Sequence, residues 1–258
     1  MNGEPPDRDL SEESLLAGRL RCLQPCYGYR FSLDAVLLAH FPLEKKNERI
    51  LDLCSGCGIV SLLLAFFRPD AVLTALEIQP RLAALLRRNV DLNSLRERIR
   101  VVEGDCCRIA SLLPAGAFDL VVCNPPYRAM ASGRRNPVAE QAVARHEIAA
   151  RLEDVVRAAA FALKTRGRAA FVYPAARAAT LLRTLPAHAL EPKRLQSVHS
   201  FPGDPGRLVL VEAVKNGGEG LTLLPPFYVY QEKGGGYTPE MAACYAGREK
   251  MESGNETG

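Results

Sequence analysis

Acidic residues and glycines stand at the ends of apolar segments that read as strands. Asp52 lies near the end of the first segment, Arg49–Leu53, and opens D-L-C-S-G-C-G, where Gly56 and Gly58 let the backbone turn sharply and approach a ligand. Glu77 ends the second segment, and Asp105 follows the third. Ligands of open α/β sheets bind at the carboxyl ends of the strands, so we expect these carboxylates to line one site.

The glycine turn is compatible with two kinds of cofactor. Gly56-x-Gly58-x-x-Ser61, followed by Glu77, nearly matches the dinucleotide-binding fingerprint of a nicotinamide oxidoreductase. However, Ser61 replaces the third glycine or alanine, and Asp52 puts a negative charge near the place of a pyrophosphate. A carboxylate there suits S-adenosylmethionine, which carries an ammonium and a sulfonium. Glu77 is then placed to accept the hydroxyl protons of its ribose.

The fourth apolar segment leads directly into N-P-P-Y, residues 124–127. Two consecutive prolines cannot continue a strand, and they fix the backbone. The Asn124 side-chain oxygen and the Pro125 carbonyl are two acceptors that suit a planar –NH2 group, and Tyr127 offers a ring on which a base can stack. We interpret this tetrapeptide as the catalytic corner of an enzyme that modifies an amino group.

Together these motifs resemble the class I S-adenosylmethionine-dependent methyltransferases that methylate exocyclic or amide nitrogens. Residues 24–41 (Q-P-C-Y-G-Y-R-F-S-L-D-A-V-L-L-A-H-F), 144–147 (A-R-H-E) and 236–240 (G-Y-T-P-E) further resemble the bacterial tRNA1(Val) (adenine(37)-N6)-methyltransferase family. The likeness covers about residues 20–240. One departure is Cys54, which stands where many relatives have the first glycine of the turn.

The resemblance implies the site residues. The methionine end of S-adenosylmethionine would lie against the glycine turn and under a lead-in segment that contains Phe31 and Asp34, the ribose against Glu77, and the adenine amino group against Asp105. The expected cofactor-binding residues are Phe31, Asp34, Asp52, Cys54, Gly56, Gly58, Glu77, Ile78, Asp105, Cys106 and Asn124. The expected catalytic residues are Asn124, Pro125, Pro126 and Tyr127.

The implied reaction is methylation of the N6 amino group of an adenine in tRNA. This nitrogen is a poor nucleophile because the ring delocalises its lone pair. If Asn124 and Pro125 accept its two protons, the lone pair turns towards the methyl donor, and catalysis is mostly positioning. The target base must leave its stack, which costs least in a single-stranded loop.

An arginine-containing loop follows the catalytic corner. Residues 128–139, R-A-M-A-S-G-R-R-N-P-V-A, hold three arginines and no acid. We expect Tyr127 and Arg128 to contact the substrate and Arg134 and Arg135 to contact RNA phosphates. A solvated loop without a partner is the alternative.

Other functions remain open at this point. One is glutamine N5-methylation of a protein such as a release factor, because the glutamine amide is also an –NH2 group with a delocalised lone pair and those enzymes also use N-P-P-Y. However, only 48 residues precede the first strand, too few for the helical substrate domain of those enzymes. A guanine N2-methyltransferase would more often have Phe in place of Tyr127. The last alternative is a binding module that has kept the fold and lost the activity.

Short apolar segments alternate with helical patterns, which is typical of a parallel sheet covered on both faces. We predict a class I methyltransferase fold: an α/β, doubly wound, Rossmann-like, mostly parallel seven-stranded sheet with an antiparallel last hairpin. The predicted strands are Arg49–Leu53, Val72–Glu77, Ile99–Glu103, Phe118–Cys123, Arg168–Tyr173, Arg194–Ser200 and Arg207–Val214, with a further extended piece over Leu221–Tyr230. The predicted helices include Arg81–Leu92, after Pro80, and Arg151–Lys164, ended by Gly167.

The chain divides into three expected parts. Residues 1–48 form a lead-in that packs on the cofactor site, with residues 1–20 loosely held. Residues 49–240 form the S-adenosylmethionine-dependent methyltransferase domain, and residues 241–258 form a mobile tail.

The composition excludes several classes of protein. With 258 residues, 48% of them hydrophobic, and a net charge of +4, the chain can build one sizeable core but does not bind nucleic acid through bulk charge. The longest uncharged stretch around the most apolar region, Leu53–Phe67, has 15 residues, too few to span a bilayer. The N-terminus does not resemble a signal peptide, so we expect a cytoplasmic protein. No sequence feature indicates an obligatory protein partner.

We expect no metal site. Eight cysteines are too few for a disulfide scaffold in a chain of this length. Cys54 with Cys57, and Cys106 with Cys107, have suggestive spacings, but none of the four histidines supplies a matching second ligand pair.

Overall fold

A computed structural model of the protein describes residues 10–26, 33–125 and 152–246. The strands are β1 (Leu10–Leu15), β2 (Leu20–Pro25), β3 (Arg49–Leu53), β4 (Val72–Glu77), β5 (Ile99–Glu103), β6 (Phe118–Cys123), β7 (Leu163–Pro174), β8 (Leu190–His199), β9 (Gly206–Lys215), β10 (Thr222–Leu223) and β11 (Phe227–Tyr228). The helices are α1 (Leu33–His40), α2 (Ile59–Phe67), α3 (Pro80–Leu92), α4 (Ile109–Leu112), α5 (residues 152–162), α6 (Ala178–Ala187) and α7 (Pro239–Ala246). No helix in these described ranges is long and apolar enough to cross a bilayer.

One nine-stranded sheet forms the centre of the fold, in the order β10-β8-β9-β7-β6-β3-β4-β5, with β11 also paired to β8. All its pairs are parallel except those that β9 makes with β7 and β8. Strands β3 to β9 are the seven predicted strands, and β3 to β6 have the predicted bounds. The extended piece splits into β10 and β11 around Pro225 and Pro226, which lack the N–H that a strand pairing needs. The predicted fold class is confirmed.

Helices cover both faces of the sheet, as expected for this class. Helices α1, α2, α3 and α7 share one core, to which Val36, Leu62 and Leu85 contribute. Helices α4, α5 and α6 share the other, which includes Val156 and Leu181. The predicted helix before β7 is found, but it ends at residue 162 instead of Lys164.

The prediction that Gly167 ends this helix is wrong. The strand β7 already begins at Leu163, which lies opposite Phe118 of β6. Arg166 adopts a left-handed φ of 66°, so the chain bends inside the strand. A Cβ on Gly167 would lie 2.8 Å from the Lys164 carbonyl oxygen, and glycine is needed for this close approach.

Residues 10–20 belong to the folded structure and are not loosely held. Strands β1 and β2 form an antiparallel hairpin. Leu15, Leu20 and Cys22 are buried in the same core as α2 and α3. The turn between the strands uses left-handed backbone at Leu16 and Ala17.

Asn89 of α3 joins this hairpin to the glycine turn. Its side chain is fully buried. The Nδ2 donates to the carbonyl oxygens of Leu23 (2.8 Å) and Cys57 (2.9 Å), and the Oδ1 accepts from the Leu23 N–H (2.7 Å). One amide therefore holds β2, α3 and the turn together.

We expect Asn89→Ala to lower the free energy of unfolding by about 2–4 kcal/mol, because the half-buried backbone groups of Leu23 and the buried carbonyl of Cys57 lose their partner. Urea unfolding followed by circular dichroism measures the change. Asn93→Ala is the matched control, since Asn93 makes the same kind of bonds to Arg21 at a more exposed position, where we expect at most about 1 kcal/mol. Equal losses in the two variants would contradict the assignment.

The segment after residue 240, expected to be a tail, contributes residues 241–246 to α7. Met241 is fully buried against the core that contains α1. The His40 Nε2 lies 3.0 Å from the Cys244 carbonyl oxygen, in hydrogen-bonding contact. Residues 247–258 lie outside the described part of the chain.

Candidate active site

The predicted site segments meet at one edge of the sheet. Leu53 lies opposite both Leu76 and Cys123, and Glu77 lies opposite Glu103, so the carboxyl ends of β3 to β6 are level. Three strand spacings of about 4.8 Å separate Asn124, after β6, from the end of β5, so this stretch of the sheet edge, which we call the crevice, is about 14 Å long. The glycine turn and Glu77 lie between these two ends.

The turn from β3 to α2 depends on left-handed backbone. Cys54, Gly56 and Gly58 have φ values of 60°, 59° and 92°. A Cβ on Gly58 would lie 2.7 Å from Leu86 Cγ, so packing against α3 also requires glycine there. The departure at Cys54 therefore places a side chain where the backbone favours glycine.

Glu77 fixes the turn relative to β4. Its buried carboxylate accepts the Gly56 N–H at 2.8 Å and the Gln79 N–H at 2.9 Å, one on each oxygen. Each oxygen has a further lone pair, which suits ribose hydroxyl donors. The contact with ribose stays a prediction.

Asp52 lies against the first turn of α2 and is 1% exposed. The pKa of its carboxyl is raised to about 7. Burial is the main cause and the Glu77 carboxylate adds to it, whereas the hydrogen bond from Ser61 Oγ to Oδ2 (2.7 Å) lowers the pKa. These neighbours bring no positive charge. A carboxylate in this position suits a cationic ligand and opposes a pyrophosphate.

Sequence reasoning missed the role of Ser61. In the sequence, this serine stands out only as the replacement of the third glycine or alanine of a dinucleotide fingerprint. The serine hydroxyl is the hydrogen-bond donor to Asp52. A hydroxyl on the first turn of a helix that follows an acidic strand end is a signal that could have identified the pair.

At the far end of the crevice, Asp105 caps a short 3-10 turn, Cys106–Arg108, by accepting the Cys107 N–H at 2.9 Å. Its contact with the adenine of a cofactor stays a prediction. Ile78, next to Glu77, is an exposed large apolar side chain and offers a surface for a nucleoside ring. Its cofactor contact is also a prediction.

Four cysteines, Cys54, Cys106, Cys107 and Cys123, lie at or next to the same strand ends. The hydrogen bond with Cys54, followed by burial, raises the pKa of Cys106, and burial raises the pKa of Cys123. Asp105, Cys106 and Cys107 bring possible ligand atoms within 4.8 Å of one another, but burial also raises the pKa of Cys107 to about 12. A raised thiol pKa opposes formation of the thiolate, which is the form of cysteine that binds metals well.

The predicted catalytic corner, residues 124–127, is described as far as Pro125. Asn124 follows β6 and is half-buried, and Pro125 is buried. Because Leu53 and Cys123 are paired, Asn124 and Cys54 continue neighbouring strands at the same edge. Asp34 lies in the first turn of α1 and is half-buried. The predicted site residues that lie outside the described part of the chain are Phe31, Pro126, Tyr127, Arg128, Arg134 and Arg135.

The residues present fit S-adenosylmethionine. The carboxylates of Asp52, Glu77 and Asp105 are acceptors for an ammonium, hydroxyls and an amino group. They surround a turn whose conformation brings its backbone close to a ligand. The same charges disfavour a nicotinamide dinucleotide.

Comparison with known proteins agrees with this chemistry. The family model "Methyltransferase small domain" matches residues 33–183. Three relatives are named tRNA1(Val) (adenine(37)-N6)-methyltransferase. That of Porphyromonas gingivalis strain W83 is 32% identical over 70% of this chain and 72% of its own. That of Bacteroides thetaiotaomicron is 31% identical over 72% of this chain and 77% of its own length. That of Aliivibrio salmonicida is 24% identical over 80% of this chain and 81% of its own length.

Two solved structures share the fold. A predicted O-methyltransferase from Agrobacterium tumefaciens superposes with a TM-score of 0.69 at 23% identity, over 82% of this chain and 95% of that one. TYW2 of P. horikoshii, solved in complex with MeSAdo, has a TM-score of 0.55 at 16% identity, over 81% and 72%. The chain thus belongs to the methyltransferase small domain family and is an S-adenosylmethionine-dependent methyltransferase.

Proposed function

We propose that this enzyme methylates the exocyclic N6 amino group of an adenine in tRNA, at a position like adenine 37 of tRNA1(Val). The observation that carries the proposal is the position of Asn124 and Pro125, which follow β6 beside the glycine turn. The names of the relatives support the choice of tRNA and of adenine. Glutamine and guanine substrates have no such support.

Asn124 and Pro125 act by positioning. The Asn124 side-chain oxygen and the Pro125 backbone carbonyl oxygen accept hydrogen bonds from the two N–H groups of the target amino group. The nitrogen lone pair then points out of the plane of the base. S-adenosylmethionine, when bound, supplies a methyl group that its sulfonium already activates. A group with two fixed acceptors needs no strong base, because orientation supplies most of the rate enhancement.

The residues around the crevice divide the remaining tasks. Asp52 and Glu77 bind the cofactor. Asp52 contributes its negative charge, and Glu77 fixes the glycine turn by accepting the Gly56 N–H. Tyr127 stacks on the target base, and Arg128 contacts the substrate next to it. Arg134 and Arg135 contact RNA phosphates. The target adenine enters from a single-stranded loop, where leaving the stack costs least.

Mass spectrometry of nucleosides tests the proposed function. We expect N6-methyladenosine in unmodified tRNA after incubation with the enzyme and S-adenosylmethionine. A tRNA1(Val) transcript with guanine in place of adenine 37 is the control and should stay unmethylated. Methylglutamine in a release factor, with no N6-methyladenosine in tRNA, would contradict the proposal and favour the protein substrate.

A further inference from the structure

Three tyrosines near the end of the chain form a continuous stack of rings, which we call the tyrosine stack. The centroids of Tyr230 and Tyr237 are 5.3 Å apart with planes at 21°, and those of Tyr237 and Tyr245 are 5.6 Å apart at 15°. Tyr230 is 38% exposed and Tyr237 is 43% exposed. The catalytic corner and the cofactor turn do not account for this arrangement.

The backbone holds the tyrosine stack rigidly. Tyr230 and Tyr237 face each other in an antiparallel bridge. Around it, the Thr238 N–H donates to the Val229 carbonyl oxygen at 3.0 Å, and the Gln231 N–H donates to that of Gly236 at 3.0 Å. Tyr245 lies on α7, which is anchored in the core by Met241. The rings are therefore ordered before any ligand arrives.

The tyrosine stack has an inner and an outer end. Burial raises the pKa of Tyr245 to about 12, with its neighbour Tyr237 adding to the shift, as expected for the inner end. Tyr237 lies between the other two rings. Tyr230 is the outer end, where only one face is used within the stack.

The outer end lies at the same edge of the sheet as the catalytic corner. Strand β11 runs parallel to β8, with Tyr228 opposite His199, the last residue of β8. The Tyr230 N–H then donates to the Ser200 carbonyl oxygen at 2.8 Å, beyond that strand end. Four strand spacings separate β11 from β6, which gives about 19 Å along the edge. A few unstacked nucleotides span such a distance.

An exposed, preordered aromatic ring is the feature with which proteins bind unpaired nucleobases. Every base has a π-face, so a base can continue a stack of rings whatever its sequence. Stacking does not depend on bulk positive charge, which agrees with the net charge of only +4. A tyrosine loses little conformational freedom when it binds, because few torsions remain to be fixed.

We propose that Tyr230 is an RNA-binding residue on which a nucleobase of the tRNA substrate stacks, a few nucleotides from the target adenine. This inference rests on the proposed function and adds a second contact to it. The contact would hold the substrate loop open along the sheet edge. It would also fix how many nucleotides lie between the stacked base and the adenine that enters the crevice.

Tyr230→Ala and Tyr230→Phe test the contact. We expect Tyr230→Ala to raise the Kd for an unmodified tRNA1(Val) transcript, measured by fluorescence anisotropy, by about 5- to 150-fold, the range that loss of one stacked base gives. Tyr230→Phe keeps the ring and should stay within about twofold. The loss should appear in KM for tRNA. Leu223→Ala, which removes an exposed apolar side chain of β10 outside the stack, is the matched control and should bind tRNA like the wild type.

A spectroscopic test separates stacking from a general loss of structure. The chain contains no tryptophan, so Tyr230→Trp creates a protein with a single indole reporter. Its emission should be quenched when tRNA is added and unchanged when S-adenosylmethionine alone is added. Thermal unfolding of Tyr230→Ala should show that the variant is folded.

The outcomes distinguish this proposal from the proposed function. Normal tRNA methylation with unchanged tRNA affinity in a folded Tyr230→Ala variant would overturn the stacking contact and leave the function standing. A wild-type protein that neither binds nor methylates tRNA would overturn both. Weaker binding of a release-factor peptide by Tyr230→Ala, with tRNA binding unaffected, would assign the stack to a protein partner instead.

Discussion

Asn124→Ala is expected to lower kcat for methyl transfer by about 10²–10³-fold, the usual cost of removing one oriented hydrogen-bonding group from a transition state. Without the side-chain oxygen, one N–H of the target amino group has no acceptor, and the lone pair is no longer directed. The Pro125 carbonyl remains in the backbone, so some activity should survive. Radiolabelled methyl transfer to tRNA under single-turnover conditions measures the effect.

The comparison variant for this experiment is Asn93→Ala. It makes the same chemical change at the residue that follows α3, where Asn93 bonds to the backbone of Arg21 in β2. S-adenosylmethionine affinity, measured by calorimetry, should change little in Asn124→Ala. Near-normal turnover in Asn124→Ala would remove the catalytic role of the Asn124 side chain, since no other described side chain is assigned to the amino group.

The affinity for S-adenosylmethionine is expected to rise by up to about 50-fold between pH 5 and pH 7. Because the pKa of Asp52 in the free protein is about 7, the carboxyl is protonated below that pH. A cationic ligand favours the ionised form, so binding releases a proton. Affinity then rises by up to about tenfold for each pH unit below 7 and levels off above it.

Calorimetric titrations from pH 5 to pH 7 measure this dependence, in a range where an α-amino group such as that of the ligand stays mostly charged. Asp52→Asn should bind weakly and with a flat pH profile, because its amide does not titrate. Asp119→Asn removes a carboxylate that pairs with Lys164 near the start of β6, away from the crevice, and should keep the wild-type profile. A flat profile in the wild-type protein would show that Asp52 is not coupled to the ligand.

The fold was largely predictable because its signals are local. Strands β3 to β6 are short apolar segments bounded by loops and helical patterns, and their predicted bounds match the structure. The hairpin of β1 and β2 was missed because L-S-E-E-S-L has few apolar residues. Its stability comes from contacts distant in sequence, above all those of Asn89 with Leu23.

The site was predictable where chemistry follows from a strand end, and not where it depends on packing. Glu77 lies at the carboxyl edge as the sequence indicates, but its two bonds to the backbone of the turn require the folded geometry. The partnership of Ser61 with Asp52 has the same origin. The tyrosine stack joins a hairpin and a helix, and no periodicity in the sequence connects Tyr230 with Tyr245.

The amide of Asn89 makes the N-terminal hairpin and the floor of the cofactor crevice one cooperative unit. Local opening of β2 breaks the bonds between Leu23 and Asn89, and these bonds hold the amide in the position from which it donates to the Cys57 carbonyl of the turn. A turn stiffened by a ligand restrains β2 through the same amide. Amide hydrogen exchange in β2 thus reports on whether the crevice is filled, although the hairpin itself contributes none of the residues assigned to the chemistry.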